Sequence, residues 1–386
     1  MADGGDGPTA RMIDRIDAVP AADWDACAGA DNPFVGHAFL KALEDSGSVG
    51  ADSGWLPRHL VVEGADGRVI GAAPLYLKSH SFGEYVFDHG WADAYERAGG
   101  NYYPKLQCAV PFTPVPGPRL LVRPGADAET ARRALIGAMA ETLRQLGLSS
   151  LHVTFPTAAD MRALAEAGFL ERTGLQFHWR NQGYRTFDDF LAALTSRKRK
   201  AVRKERRAVA EAGITLHRLV GDAIRPDHWD AFHRFYLATS HNKWGHPYLT
   251  RDFFDRLGDT LADRVLLVMA ETDGNLVAGA LNLIGADALY GRNWGCEGAF
   301  KFLHFETCYY QAIDFAIEHG LGRVEAGAQG PHKVQRGYLP EPTHSAHLIA
   351  DPRLRDAIGD YLDHERAQVT REIAAFAAET PYRQAD

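Results

Sequence analysis

No run of about 18 apolar residues occurs in this sequence, so no segment reads as a membrane-spanning helix. Its four cysteines, Cys27, Cys108, Cys296 and Cys308, are scattered and form no CxxC pair, which indicates neither a disulfide frame nor a zinc site. The opening MADGGDGP is acidic and Gly-rich, without the basic and apolar regions of a secretory signal, so the expectation is a reduced, cytoplasmic protein. A P-loop is missing, as is a GxGxxG fingerprint after a strand, which leaves ATP chemistry and hydride transfer unsupported. No GxSxG elbow is present, against a serine hydrolase. Seventeen histidines invite a metal reading, yet His332, His344 and His347 come with no HExxH or His/Cys grid. They read as scattered surface side chains, and no metal is expected.

What is present is an ordinary globular composition, 46% hydrophobic and 24% charged, in 386 residues, enough for two or three domains. The net charge of −8 argues against a general nucleic-acid binder. One stretch departs from that average. Residues 197–207 read RKRKAVRKERR, eight bases against one acid. An acidic protein with one concentrated basic element points to a single anionic contact.

The chain repeats itself. His59 to Leu77 reads as two strands joined at Asp66-Gly67, and Leu266 to Leu283 reads the same way around Asp273-Gly274. Downstream, Gly168-Phe-Leu and Gly337-Tyr-Leu match, and His178 and His347 fall on the same offset of 169 positions. Each copy predicts helices, the hairpin, a further strand (84–89; 288–294), a long amphipathic helix (128–146; 302–319) and a last strand (151–155; 323–326). The expectation is an α/β fold of the α+β kind. It is a tandem duplication with mixed, mostly antiparallel sheets flanked by helices. The first domain is placed at 1–190, with an inserted loop at about 88–118, and the second at 191–386. The second begins with the basic helix, whose apolar side is drawn through Leu191, Leu194, Ala201, Val202, Ala208, Val209 and Ala212.

The second copy holds a polar–aromatic constellation in YGRNWGC, HFETCYY and EAGAQGPHK, placed at strand ends and a helix start, where α/β folds bind ligands. Glu325 and His332 are candidate proton acceptors. His304 and Glu306, two apart on a helix, do not share a face, so at most one points inward. Gly327, Gln329 and Gly330 allow close backbone approach to an oxyanion or a pantetheine-like chain. Arg292, Trp294 and Lys333 are candidate substrate contacts, though Trp294 reads by default as core. Cys308 and the Tyr309/Tyr310 pair, at helical spacing among aromatics, read as core. Lys243-Trp244 can wall an acyl chain. In the first copy Asp88, His89, Trp91, Tyr102 and Lys105 crowd into a Pro-rich stretch that reads as functional or as a brace. Arg197, Lys198, Arg203 and Lys204 are candidate contacts for an anionic donor.

These stretches carry a family resemblance. PLYLKSHSFGEYVFDHGWADAYER, YYPKLQCAVPFTPVPGPRLL, SRKRKAVRKERRAV, KWGHPYLTRDFF, HFETCYYQAIDFAIEHG and EAGAQGPHK together resemble the FemAB-like predicted N-acyltransferases, from Asn32 through His347. The resemblance implies two GNAT-like domains and amide-forming transfer of an acyl group. The family is expected to carry an acid where this chain has Pro331, which implies a distinct acceptor. The GNAT pyrophosphate loop Q/RxxGxG/A is absent ahead of both long helices.

The leading expectation is an N-acyltransferase that takes an acyl group from acyl-CoA or acyl-carrier protein to an amine, with a sphingoid long-chain base (ceramide formation) as one specific acceptor. A second is aminoacyl-tRNA-dependent amino acid transfer to a cell-wall or peptide amine, the only version that needs nucleic acid. A third is a non-catalytic scaffold for an anionic envelope component. A peripheral contact with the inner face of a membrane accompanies the lipid version.

Overall fold

The structure is a computed structural model that describes residues 7–125, 127–243, 247–327 and 330–383, with the backbone alone for 241–243. The chain divides into two compact units, 1–174 with 343–370, and 175–342 with 371–386. The expected boundary at 190/191 therefore does not describe the division, because each unit takes a segment from the other half of the chain.

Unit 1 begins with β1 (Thr9–Ile13), α1 (Ala21–Ala28) and α2 (His37–Asp45), followed by β2 (Trp55–Pro57), β3 (His59–Glu63), β4 (Val69–Ala73) and β5 (Leu75–Lys78). The expected hairpin is β3–β4, paired antiparallel, with Gly67 at φ 75° in its turn. Pro74, which has no N–H to donate, separates β4 from β5. The two strands then lie in different sheets. Next come α3 (His89–Arg97), β6 (Lys105–Cys108), β7 (Leu121–Val122), α4 (Ala128–Gln145), β8 (Ser150–Thr154) and α5 (Ala158–Glu166). The strand expected at 84–89 does not form: Tyr85 sits at φ 60° and Phe87 is exposed. Its place is taken by β6, which runs parallel to β8. The stretch expected as an inserted loop at 88–118 thus contains a helix and a sheet strand. The core is Leu60, Leu75, Leu106, Leu135, Met139 and Leu151 with their neighbours.

The chain leaves unit 1 within β9 (Leu170–Arg180). Unit 2 continues with α6 (Phe187–Ala193), α7 (Ser196–Glu211), β10 (Thr215–Val220), α8 (Pro226–Lys243), α9 (Arg251–Leu261), β11 (Val265–Thr272), β12 (Asn275–Ile284) and β13 (Ala288–Cys296). Here the expected hairpin is β11–β12, closed by the two residues Asp273 and Gly274, both at positive φ, as a tight hairpin turn requires. The long helix is in three pieces. They are α10 (Leu303–Phe305), one π-helical stretch over Glu306–Tyr310, and α11 (Gln311–Glu318). Then follow β14 (Arg323–Glu325), β15 (Leu339–Ile349) and α12 (Pro352–Ala378).

The last strands of the two copies are exchanged. In unit 2, β9 pairs with β14, with Glu325 opposite His178; in unit 1, β15 pairs with β8, with His347 opposite His152. The shared offset of His178 and His347 is therefore real, but each strand completes the sheet of the other copy.

The basic stretch forms α7. It is separated from α6 at Leu194–Thr195 and buries Val202 and Val209, whereas Ala201 and Ala212, expected on its apolar side, are exposed. The reason lies in its two central side chains. Glu205 is clamped by Arg336 at 2.8 Å and by the Tyr310 hydroxyl, and Arg206 pairs with Glu306 at 3.1 Å and Asp314 at 2.8 Å. These contacts fix how the helix is rotated.

Candidate active site

In unit 2, β13 and β14 run parallel over three residue pairs only, ending at Tyr290 and Glu325. β13 continues to Cys296 without that partner. Gly291, just past the last pair, permits the close approach there, since a Cβ would lie 3.3 Å from the Glu325 carbonyl oxygen. Along its other edge, β13 pairs Asn293 with Leu281 and Gly291 with Asn282, leaving Arg292 as an extra, bulged residue. A bulge of this kind re-aims its side chain. Gly295 seats the strand under α8, because a Cβ there would come within 2.1 Å of the Phe235 backbone.

At the parting of the strands lies a cavity of about 100 Å³, lined by Asn282, Arg292, Trp294, His304, Cys308 and Tyr309 among others. The His304 ring packs edge-on against Trp294. Its Nε2 is 3.2 Å from the Tyr309 hydroxyl, which is also 3.0 Å from Nε2 of His332. Burial pushes the Tyr309 phenol well above its ordinary value, so it stays protonated and can hand a proton along. In a regular α-helix, residues five apart lie about 140° round the axis from each other. The π-helical stretch brings both Cys308 and Tyr309 against His304.

The other residues flagged in the sequence fall into distinct settings. Glu325 is buried at the end of β14, where it accepts from Arg323 Nε at 2.9 Å; burial raises its carboxyl, and its Oε2 has no hydrogen-bond partner. Glu306 turns away from the cavity to Arg206 and to the Gln311 amide at 2.7 Å. Of the pair two apart, His304 is the one that faces the cavity. Lys333 is buried and donates to the Gly327 carbonyl at 2.9 Å, its ammonium pushed down to about 8 by burial. Gly327 and Gly330 both take positive φ, at 77° and 118°. Gln329, Trp244 and the side chain of Lys243 lie outside the described residues.

Tyr309 and Tyr310 are buried core residues as expected, with Cys308 packed against that core, but Cys308 and Tyr309 also line the cavity. His304 at i and Cys308 at i+4 was a legible spacing; the addition of Tyr309 needs the π-turn, which no pattern in the sequence announces.

The first-copy residues form a different object. Lys105 is fully buried and donates to Ser81 at 2.8 Å, Glu84 at 2.8 Å and Asp88 at 2.5 Å. Tyr102 also donates to Asp88, at 2.7 Å. Trp91 packs edge-on against His347, and His89 is exposed beside Phe87. Asp88, Tyr102 and Lys105 are therefore sealed inside an ion network, not presented to a substrate as expected. His347, expected at the surface, is buried, and His344 is half-buried near Glu171. A larger cavity of unit 1, about 360 Å³, lies between Leu170, Glu171 and α12. Its lining of Arg355, Asp356, Asp360, Asp363 and Arg366 offers paired surface charges and no nucleophile beside a base, so the smaller cavity is the chemical candidate.

On α7, Arg203 pairs with Asp188 at 3.0 Å, both exposed. Among the described residues no acid lies within ion-pair distance of Arg197, Lys198, Lys200, Lys204 or Arg207, which leaves a cationic face. No helix among the described residues is long and apolar enough to cross a membrane, and no cluster of three metal-ligating side chains is assembled among them.

The fold is a tandem α/β duplication with mixed sheets flanked by helices, and the sequence comparison gives the family. The FemAB-like profile, described as peptidoglycan biosynthesis/recognition, matches residues 15–384, and the chain belongs to that family. It is an acyltransferase, moving acyl or aminoacyl groups. Among solved structures it is similar in fold to FemX, with 13% identity, TM-score 0.57, and coverage of 88% of this chain and 98% of that one. It is similar also to a domain designated lysylphosphatidylglycerol synthetase from Agrobacterium fabrum, with 10% identity, TM-score 0.54, and coverage of 89% and 96%. L-PGS from Bacillus licheniformis shares the fold at 10% identity and TM-score 0.50, over 84% and 94% of the two chains. No curated protein sequence matches the chain.

Proposed function

We propose that the protein transfers an acyl group from an activated ester or thioester to an amine, and that the cavity of unit 2 is where the transfer occurs. The observation that carries this reading is the parting of β13 from β14 beside the chain His304–Tyr309–His332. Beyond Tyr290 one edge of β13 has no β14 partner, which leaves backbone for an extended, amide-bearing arm such as pantetheine. The carbonyl would sit near the bulge at Arg292, where a fixed positive charge stabilises a developing oxyanion. Amine attack needs removal of a proton, and the histidine–tyrosine chain supplies acceptors that lead from the cavity to the exposed His332. The cationic face of α7 suits a donor carried on phosphate: acyl-CoA or acyl-carrier protein.

The test is release of free thiol from acetyl-CoA, palmitoyl-CoA or palmitoyl-carrier protein, measured with a panel of amines that includes a sphingoid base. Acceptor-dependent release supports the reading; none across all donors and amines refutes the thioester version. The same cationic helix favours a second version, in which the donor is aminoacyl-tRNA, as in the FemAB-type alternative. Transfer from a charged tRNA that RNase abolishes would select it.

A further inference from the structure

Cys308 is one of two half-exposed cysteines in the protein, the other being Cys296. It lines the cavity, and its Sγ lies 3.5 Å from Nδ1 of His304. The opposite nitrogen of the same ring, Nε2, faces the Tyr309 hydroxyl. A nucleophile beside a base, with the base oriented by a third group, is the general arrangement of covalent catalysis.

The hydrogen placement is consistent along the whole chain. Tyr309 has one proton to give and lies between two imidazole nitrogens, so it donates to one and accepts from the other. When it donates to His332, His304 carries its proton on Nε2, and Nδ1 presents a lone pair to the Cys308 thiol. One direction of donation thus satisfies all four side chains and leaves His304 in the tautomer that can deprotonate sulfur. Lys333 stands nearby, close enough that a charge on Cys308 favours its ammonium form, and by reciprocity the ammonium favours a thiolate.

We propose that Cys308 carries the acyl group covalently during transfer, with His304 as its base and Tyr309 as the positioning residue. The inference rests on the functional reading above and adds an intermediate to it. In the first step the Cys308 proton passes to His304 Nδ1 and sulfur bonds to the donor carbonyl carbon. The bond from that carbon to the carrier sulfur, or to the tRNA oxygen, breaks, and the leaving group takes the proton from His304. In the second step the acceptor amine bonds to the same carbon and the C–S bond to Cys308 breaks. The proton lost by the amine returns through His304 to Cys308, so atoms and electrons balance and no redox partner is needed.

Two measurements test the proposal. The first needs no knowledge of the substrate: iodoacetamide should alkylate Cys308 at pH 7 about 10-fold faster than Cys296, whose thiol is pushed up by burial. His304→Gln should remove that advantage. Equal rates at the two cysteines would overturn the proposal. The second uses palmitoyl-CoA and charged tRNA in turn, without acceptor, and reads the intact mass. One acyl group should appear on the peptide that contains Cys308 and be discharged by hydroxylamine or by the amine acceptor. Cys308→Ala and Cys308→Ser should each lose at least about 100-fold in turnover. Thermal melts should show that both variants fold. Turnover in Cys308→Ala within about 3-fold of the unaltered protein would overturn the covalent step while leaving the functional reading intact. Fast alkylation of Cys308 with no transfer from any donor would refute that reading instead, and with it the acyl-carrying role.

Discussion

His152 and His347 share a hydrogen bond between their Nδ1 atoms, 2.7 Å apart, across a separation of 195 positions. It joins β8 to the strand that unit 1 takes from the end of the second copy. The Tyr102 hydroxyl, which gives its one proton to Asp88, and the Ser150 hydroxyl both face His152 Nε2, at 3.3 and 2.8 Å, and of the two Nδ1 atoms one donates and the other accepts. Both rings are neutral in the folded state. Burial holds His152 down at about 3 and His347 well below its ordinary value.

The pH dependence follows from that depression. Between pH 3 and 6.5 the unfolded chain binds protons that these folded histidines do not, so stability is lost as pH falls through that window. The slope is about 1.4 kcal/mol per pH unit for each histidine. Glu84, pushed up to about 7, acts oppositely: folded it holds a proton that the unfolded chain has released, so between pH 4.5 and 7 it favours folding as pH falls. Urea denaturation between pH 4.5 and 6.5 should therefore show a loss on acidification from these two histidines and from His178, which burial also holds down at about 3, set against the opposing gain from Glu84. His152→Asn should change the slope by about one proton, removing one histidine's share of the loss. An unchanged slope would contradict the neutral-pair account.

Lys105 is the cation that makes two buried carboxylates tolerable. Lys105→Met should destabilise unit 1 by about 3–5 kcal/mol, because Glu84 and Asp88 are then left buried without their partner. The same change made together with Glu84→Gln should cost less than the single substitution. Chemical denaturation of the four forms gives the coupling.

Glu205 is the single acid in the basic run, and it holds Arg336, whose Nη1 in turn donates to the His332 carbonyl at 2.9 Å. Arg336 also lies over the Phe305 ring, 3.4 Å from its centroid. Glu205→Gln should loosen the backbone at His332. The expected outcome is kcat down about 10-fold with little change in KM, since Glu205 itself is not placed to touch substrate. A change in KM alone would place its role in binding.

The cationic face of α7 should act on the donor and not on the fold. Charge reversal at Arg197, Lys198 and Lys204 should raise the apparent KM for a phosphate-bearing donor about 10-fold at low salt, an effect that fades above about 0.5 M salt. The melting temperature should stay within about 3 °C, because exposed charges contribute little to stability. Unchanged donor kinetics at low salt would make the run a solvated face.

The hairpins were legible because Asp66-Gly67 and Asp273-Gly274 demand a turn, and the duplication because the hairpin recurs and the Gly168 and Gly337 motifs share an offset with His178 and His347. The exchange of β9 and β15 was not: an alternating strand pattern states which face is buried, not which neighbour completes the sheet. The apolar run at Tyr85-Val86-Phe87 read as a strand, yet Tyr85 takes a left-handed conformation there and the strand forms at Lys105–Cys108 instead. At the site, Arg292, Trp294, His304 and His332 were legible as chemistry-bearing residues near strand and helix ends. Cys308 and Tyr309 were hidden among core aromatics because helical spacing alone cannot reveal a π-turn.

The central claim is that transfer takes place in the cavity between β12, β13 and the π-turn. Ala326, half-buried, forms part of its lining. The most direct measurement is the rate of acceptor-dependent transfer by Ala326→Phe, which fills that space from a position outside the fully packed core, with a thermal melt alongside. The account predicts loss of transfer by about 100-fold or more, with the fold retained. Transfer at the unaltered rate in a folded Ala326→Phe protein would contradict it.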